Sequence, residues 1–433
     1  MLGLFVAGVS ENVSGKDISF GRTSGLCQTL SIVPWGLLRH RGTALLTHSV
    51  TFATDHASDY FTQFPAKPAV FALRGLGESA EPYVGKTANL RKRLLRLLSP
   101  PESQSKRLNL RERVGQIEYS LTGSDFESTL LLYKTSRKEF PKSYQKRLRV
   151  HSAPVIRLNL ENAYPRAYVT TRIGRLTGRS IYYGPFRSRA VAEKFLNDSL
   201  DLFKIRRCTF ELNPDPSFPG CVYSEMKMCL APCFKGCTDE AYMAEVERVK
   251  NYLDSCGESL IHELQVERDR LSGDLDFEAA ARQHEKVTKV KGIASVCDEI
   301  YGRLDQIDAV MVQPASEPKS VALFRFSHGE LVGPEYFSME AAEDDHPLEA
   351  RLREALPRLT SSGTRSIQQF TEELAILRRW YYRTHKTGEI FAANNQGELP
   401  LRRIANGMGK IYRGEKETAT QPQEQQTQES PPA

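Results

Sequence analysis

Hydrophobic and polar positions change rhythm several times along this chain, and each change marks an element. Residues 1–62 are rich in Gly, Ser and Thr with no sustained period, so they read as an N-terminal extension without a predictable element. From residue 63 the texture changes. Pro68-Ala69-Val70-Phe71-Ala72-Leu73-Arg74 is an apolar run of strand length. Gly75–Ser79 supplies a turn, and Glu81-Pro82-Tyr83-Val84-Gly85-Lys86 a second short strand. Asn89 is a good cap for a helix over Leu90–Leu98. Val114–Ser120 reads as a third strand. Ser124 and Asp125 can cap a helix running through Leu130-Leu131-Leu132-Tyr133. Hairpin, helix, strand, helix describes a small α+β domain over 63–150.

Strand-length runs return at Tyr164–Thr170 and end at Tyr182–Phe186. A helix from about Ser188 to Phe203 then leads into a Cys-rich segment that completes region 151–238. Residues 239–293 are strongly helical. Leu260, Leu264 and Leu271 lie on the first half, and Ser272-Gly273-Asp274 breaks it. Leu275–Arg282 opens the second half, with an acidic start that complements a helix dipole. Two such helices make an antiparallel hairpin. Region 294–413 carries strands at Ala309–Val312 and Val321–Phe326, a turn at His328-Gly329, and helices at about 347–357 and 367–386. Within the last, Trp380-Tyr381-Tyr382-Arg383 reads as helix packing. Residues 414–433 are Glu, Gln, Thr and Pro without core formers, a predicted disordered tail. The predicted fold class is α+β multidomain: a small mixed domain, a Cys-rich linker domain, an antiparallel helical hairpin and a further α/β region.

At 433 residues and 40% hydrophobic content, several domains with real cores are expected. No run of 18 apolar residues occurs, which argues against a membrane-spanning helix. The start, Met1–Ala7, lacks a basic lead and a cleavage site, so a secretory signal is not expected. The net charge of +6 says little by itself. Its distribution says more: residues 86–150 hold 16 Lys and Arg against 6 Asp and Glu, a local excess of 10. Arg91, Lys92, Arg93 and Arg96 share one helix; Lys142, Lys146, Arg147 and Arg149 form a second cluster. Such a patch suits a phosphate backbone, because each neutralised phosphate releases a counterion. A solvated basic face is the plainer alternative.

Chemistry concentrates in four cysteines. Cys208, Cys221, Cys229 and Cys233 follow the spacing C-x12-C-x7-C-x3-C, so half of the 8 cysteines fall within 26 residues. Pro214, Pro216, Pro219 and Pro232 lie between them and exclude a long helix, so the sulfurs converge through turns if at all. Four convergent thiolates suit an iron–sulfur cluster or a structural zinc. Free or paired thiols in a loop-rich linker are the alternative. Cys237 is a spare thiol close by.

Several segments, in order, resemble a known family. Tyr83-Val84-Gly85-Lys86-Thr87-Ala88-Asn89-Leu90-Arg91-Lys92-Arg93-Leu94 is similar to the second half of the GIY-YIG nuclease signature. Tyr164-Pro165-Arg166, Tyr183-Gly184-Pro185-Phe186 and the four-cysteine spacing follow as they do in the amino-terminal half of UvrC, the excision-repair nuclease subunit, and in the shorter UvrC-like nucleases. Leu275-Asp276-Phe277-Glu278-Ala279-Ala280-Ala281-Arg282 looks like the UVR hairpin, and Leu331–Phe337 like the start of the next domain. The resemblance spans about residues 62–345. It implies a cytoplasmic, nucleoid-associated bacterial protein acting on damaged double-stranded DNA, and an iron–sulfur centre on the four cysteines. It also implies docking to UvrB through Phe277, Ala280 and Ala281, and one-metal phosphodiester hydrolysis with Mg²⁺ or Mn²⁺ if the nuclease is active.

Carried over residue by residue, Tyr83 stands where the family's water-activating tyrosine stands, and Lys86 and Arg93 stand where phosphate-binding cations stand. Other positions depart. Phe71 replaces the tyrosine of the first tripeptide and has no hydroxyl. Tyr133 replaces the metal-binding glutamate, and a phenol is a poor ligand for a hard cation. Leu97 replaces a further tyrosine. Glu127 lies six residues before Tyr133, on another side of the helix, and does not substitute for it. The resemblance leaves no room before the predicted tail for the family's second nuclease half, so 5′ incision is not expected. Two readings follow: a short UvrC-like endonuclease with a degenerate site, or a pseudo-nuclease that keeps DNA and UvrB binding without cutting.

Overall fold

The computed structural model describes residues 45–77, 80–100, 108–176, 178–340, 347–360, 366–394 and 396–414. Most of the expected N-terminal extension (1–44) and nearly all of the Gln-rich tail (415–433) lie outside the described residues. The described chain starts with β1 (His48–Thr51), β2 (Ala69–Gly75), β3 (Tyr83–Thr87), α1 (Leu90–Leu98), β4 (Val114–Leu121), α2 (Asp125–Glu139) and α3 (Tyr144–Leu148). The strands form one antiparallel sheet in the order β1-β4-β2-β3. Residues 45–62, read from the sequence as part of an extension, join this sheet: β1 pairs with β4, and Phe52 and Phe61 pack with Phe64 under α1. The helix starts follow local chemistry. Asn89 accepts from the Lys92 amide at 2.9 Å, and Ser124 accepts from the Glu127 amide at 3.1 Å. Helix α1 buries Leu90, Leu94, Leu97 and Leu98 against one sheet face. Leu131 and Leu132 of α2 pack on Val70 and Ala72 from the other.

The next strands are β5 (Val155–Asn159), β6 (Arg166–Thr170) and β7 (Ile181–Gly184), followed by α4 (Arg189–Leu200), α5 (Val222–Glu225), α6 (Asp239–Asp254), α7 (Glu258–Gly273), α8 (Phe277–Ala294) and β8 (Gly302–Arg303). A second sheet runs β6-β5-β7-β8. Its core joins Ile156, Tyr183 and Phe195 to Tyr242, Tyr252, Val287 and Val290 of the helices. Helices α7 and α8 form the expected hairpin, and a disulfide between Cys256 and Cys297 closes its base.

The last elements are β9 (Asp308–Pro314), β10 (Ser320–Ser327), β11 (Glu330–Ser338), α9 (Leu348–Ala355), α10 (Ile367–Tyr381), β12 (Glu389–Ala392) and α11 (Leu401–Arg413). They make a third sheet, β11-β10-β9-β12, covered on one face by α9 and α11. The other face meets α10, and α10 meets α2: Phe126, Leu130 and Tyr133 share one core with Phe324, Phe370, Leu377 and Trp380. The α+β multidomain class is thus observed, with three antiparallel sheets among the described residues. No helix there is long and apolar enough to cross a membrane.

Candidate functional site

The candidate chemistry lies in three places. In the first unit, β3 starts with Tyr83, and α1 presents Arg93 to it. The guanidinium donates to the Tyr83 hydroxyl at 2.7 Å. Arg93 Nε is buried without a hydrogen-bond partner. Phe71 is fully buried in the α1 core, its ring 6.0 Å from the Tyr83 ring. Lys86 does not join this pair. Three residues along a strand reverse the face, and Lys86 Nζ instead donates to Asp125 Oδ1 and Thr129 Oγ1 of α2, each at 2.7 Å. Burial opposes ionisation of Asp125, but Lys86 and Arg383 outweigh it and hold the carboxyl below its usual range. Leu97 is core.

The position that the resemblance assigns to a metal-binding glutamate, Tyr133, is closed. Tyr133 is 1% exposed and donates its hydroxyl to Glu372 Oε2 of α10 at 2.7 Å. Tyr144 donates to Glu372 Oε1 at 2.8 Å, and the Gln145 amide donates to the same oxygen. Burial, then the adjacent Glu372 carboxylate, push the Tyr133 phenol far above its ordinary value. It stays a neutral donor at any working pH and is no metal ligand. Glu127 is also committed. It accepts from the Gly123 amide at 2.8 Å and from the Tyr336 hydroxyl at 2.5 Å, tying α2 to β11. Burial raises its pKa despite those donors. The hydrogen bonds of Tyr83 and Arg93 reach no carboxylate among the described residues. The residues present therefore do not fit a hydrolytic divalent ion on this unit.

The second place is the cysteine segment. Cys208, Cys221, Cys229 and Cys233 line one small pocket with Arg206, Arg207 and Tyr223. Turns make the convergence: Gly220 at φ 92° and Ala231 at φ 57° take left-handed backbone, and the Asp215 amide donates to the Cys233 carbonyl at 2.8 Å. The Ala231 amide donates to Cys229 Sγ at 3.3 Å. Burial pushes the Cys229 thiol up to about 11, and the neighbouring sulfurs add to it. Cys208 and Cys233 are raised by the same causes. Among the described residues no three His, Cys, Asp or Glu side chains stand in a metal-holding arrangement. The donor set nonetheless fits in kind: four soft sulfurs, mutually repelling as thiolates, are what a thiophilic cation neutralises. Cys237 stands outside the pocket lining, against the second core.

The third place is the α7–α8 hairpin. Asp276 caps α8 by accepting from the Ala279 amide at 3.0 Å. Phe277 is 64% exposed, with Leu275 and Val266 also exposed. Ala281 is exposed, but Ala280 is buried within the hairpin at 9%. Of the three residues expected to meet a partner, Phe277 and Ala281 are accessible and Ala280 is not.

Together these features define an α+β multidomain protein in which a four-thiol pocket joins a small sheet unit to a helical hairpin. Comparison with known proteins narrows the class. Residues 153–252, which hold β5, β6 and β7 of the second sheet, α4, the cysteine segment and most of α6, match the family model described as UvrC/Cho excinuclease, middle domain. Proteins named UvrABC system protein C align over more of the chain. That of Ruminiclostridium cellulolyticum is 25% identical over 290 residues, 65% of this chain and 46% of the relative. That of Methanothermobacter thermautotrophicus is 29% identical over 307 residues, 69% of this chain and 50% of the relative. That of Bdellovibrio bacteriovorus is 30% identical over 244 residues, 55% of this chain and 38% of the relative. The chain is UvrC-like, and its matches span about half the length of these curated relatives or less. No solved structure matches it.

Sequence reasoning missed Glu372. No local signal in α10 marks it as the partner of Tyr133, and the two are 239 positions apart.

Proposed function

We propose that this is a UvrC-like protein of nucleotide excision repair that binds damaged duplex DNA and a UvrB partner, while its nuclease-like unit does not cut. One observation carries the reading: the Tyr133 hydroxyl donates to buried Glu372 at the position where a catalytic metal would need a carboxylate. A hydrolytic metal neutralises charge that develops on the phosphate, and without its ligands that stabilisation is lost. Tyr83, Arg93 and the basic α1 surface bind and orient phosphate instead. The exposed Phe277 supports docking of a partner helix pair on the hairpin tip. The four thiols hold an iron–sulfur cluster or, failing that, zinc, which when bound ties the linker together. The protein works in the cytoplasm on nucleoid DNA.

The Tyr83–Arg93 hydrogen bond favours a second reading, a residual endonuclease that recruits Mg²⁺ or Mn²⁺ only when DNA and UvrB are bound. The test is equilibrium binding to lesion-containing duplex with and without UvrB. The proposal expects a ternary complex and steep salt dependence of DNA binding. Salt-insensitive DNA binding, or no complex with UvrB, overturns it.

A further inference from the structure

Lys86, Arg147 and Arg149 of the first unit and Arg378, Arg379 and Arg383 on and just after α10, far apart in sequence, meet across one groove. It has a volume of about 550 Å³ and lies between β3, α2, the end of α3 and α10. Its basic lining is Lys86, Arg147, Arg149, Arg378, Arg379 and Arg383, against one carboxylate, Asp125. Asp125 is already shared, bonded to Lys86 at 2.7 Å and to Arg383. Arg147 pairs with Glu81 at 2.8 Å on the rim. Six cations against these two carboxylates leave four positive charges uncompensated. Arg149 and Arg379 are exposed and have no carboxylate partner among the described residues. Arg378 adds an independent sign. One of its nitrogens donates to the Arg187 carbonyl at 2.9 Å, while its Nε is buried with no partner. Burial lowers the pKa of this guanidinium, so its charge is desolvated without an anion to balance it. Beneath the cations lies packed core: Phe126, Ile376 and Trp380 are 1%, 6% and 5% exposed.

A row of cations along a narrow groove is what tracks the backbone of a strand. At about 550 Å³ the groove is the size of a small-ligand cleft, wide enough for one backbone and not for the body of a duplex. We propose that this groove, built jointly by the first unit and α10, binds the phosphodiester backbone of a single nucleic-acid strand. The inference rests on the DNA-binding reading above and places one strand away from the Tyr83–Arg93 pair. It also gives Lys86 a role after its separation from that pair: with Asp125 and Arg383 it links the two walls of the groove. The Tyr133–Glu372 hydrogen bond pins α10 to α2 and so sets the distance between the walls.

The test measures fluorescence anisotropy of a labelled 15-nucleotide single strand over a salt series, with full-length protein. Arg149→Glu with Arg379→Glu reverses two exposed charges outside any core. The expected result is affinity lower by about tenfold or more and a salt slope shallower by about 1.4, two contacts at roughly 0.7 each. Asp125→Asn removes the competing anion and should strengthen binding, which a damaged fold would not do. Arg91→Glu with Lys92→Glu, on the exposed side of α1, serves as the comparison. Unchanged affinity and slope in the groove double variant overturn the proposal. If the α1 variant alone loses binding, the DNA-binding reading stands and the groove falls. If the wild type binds neither strand nor duplex, both fall. Duplex bound as tightly as single strand through the same arginines overturns the single-strand assignment. Inorganic triphosphate bound as tightly as the strand replaces it with a small-anion pocket.

Discussion

Restoring the glutamate at position 133 is the obvious way to revive the nuclease-like unit, and the structure predicts that this change alone harms the protein. In Tyr133→Glu a carboxylate enters a buried space where Glu372 already accepts from the Tyr133 hydroxyl at 2.7 Å. Two unit charges about 4 Å apart repel by about 4 kcal/mol at an effective dielectric near 20. Proton uptake caps this penalty at about 1.4 kcal/mol per pH unit above an ordinary carboxyl value near 4.3. The sign follows. A carboxyl whose folded pKa is raised destabilises the fold once pH exceeds the unfolded value, and the penalty grows until the folded pKa is passed. The charge penalty is therefore about 4 kcal/mol at pH 7.5 and about 1 kcal/mol or less at pH 5. Tyr133→Gln is the control, because it loses the same ring and hydroxyl without adding charge. Urea denaturation of both variants at both pH values isolates the repulsion. Adding Glu372→Gln to Tyr133→Glu should recover most of the difference at pH 7.5. Glu and Gln variants within about 1 kcal/mol of each other at pH 7.5 would refute the reasoning, since so small a gap is no buried like-charge pair.

Two further predictions concern the other places. Phe277→Ala should weaken binding of purified UvrB by about 2 kcal/mol, the burial of one aromatic. DNA affinity and melting temperature should not move, because the ring is 64% exposed in the free protein; unchanged UvrB titrations would remove the hairpin tip as the contact. Cys229→Ser should lower bound iron or zinc, read as metal per protein by elemental analysis, whereas Cys237→Ser, outside the pocket, should not. Equal metal loss in both variants would place Cys237 among the ligands.

Much of this was legible locally. Asn89 and Ser124 cap helices where their side chains predict it, because a cap is a bond between residues three apart. The hairpin break at Ser272-Gly273-Asp274 and the convergence of four cysteines around prolines are likewise short-range. Lys86 was half legible: strand alternation alone puts it opposite Tyr83, but motif resemblance grouped the two. What escaped is long-range. β1 hides in residues without alternation, because an edge strand on β4 needs little burial of its own. Tyr133 reads as the loss of a ligand until Glu372 supplies its partner. The segment Trp380-Tyr381-Tyr382-Arg383 reads as packing until Arg378, Arg379 and Arg383 are seen facing Lys86, Arg147 and Arg149 across the groove.

This UvrC-like chain is proposed to keep its DNA- and UvrB-binding surfaces without cutting. The most direct measurement is a nicking assay on a lesion-containing duplex loaded with UvrB, with Mg²⁺ or Mn²⁺ supplied and Arg93→Ala run alongside. The expected result is no nick above the protein-free background for either protein, with the UvrB–DNA complex still bound. A metal-dependent nick by the wild type that disappears in Arg93→Ala would contradict it.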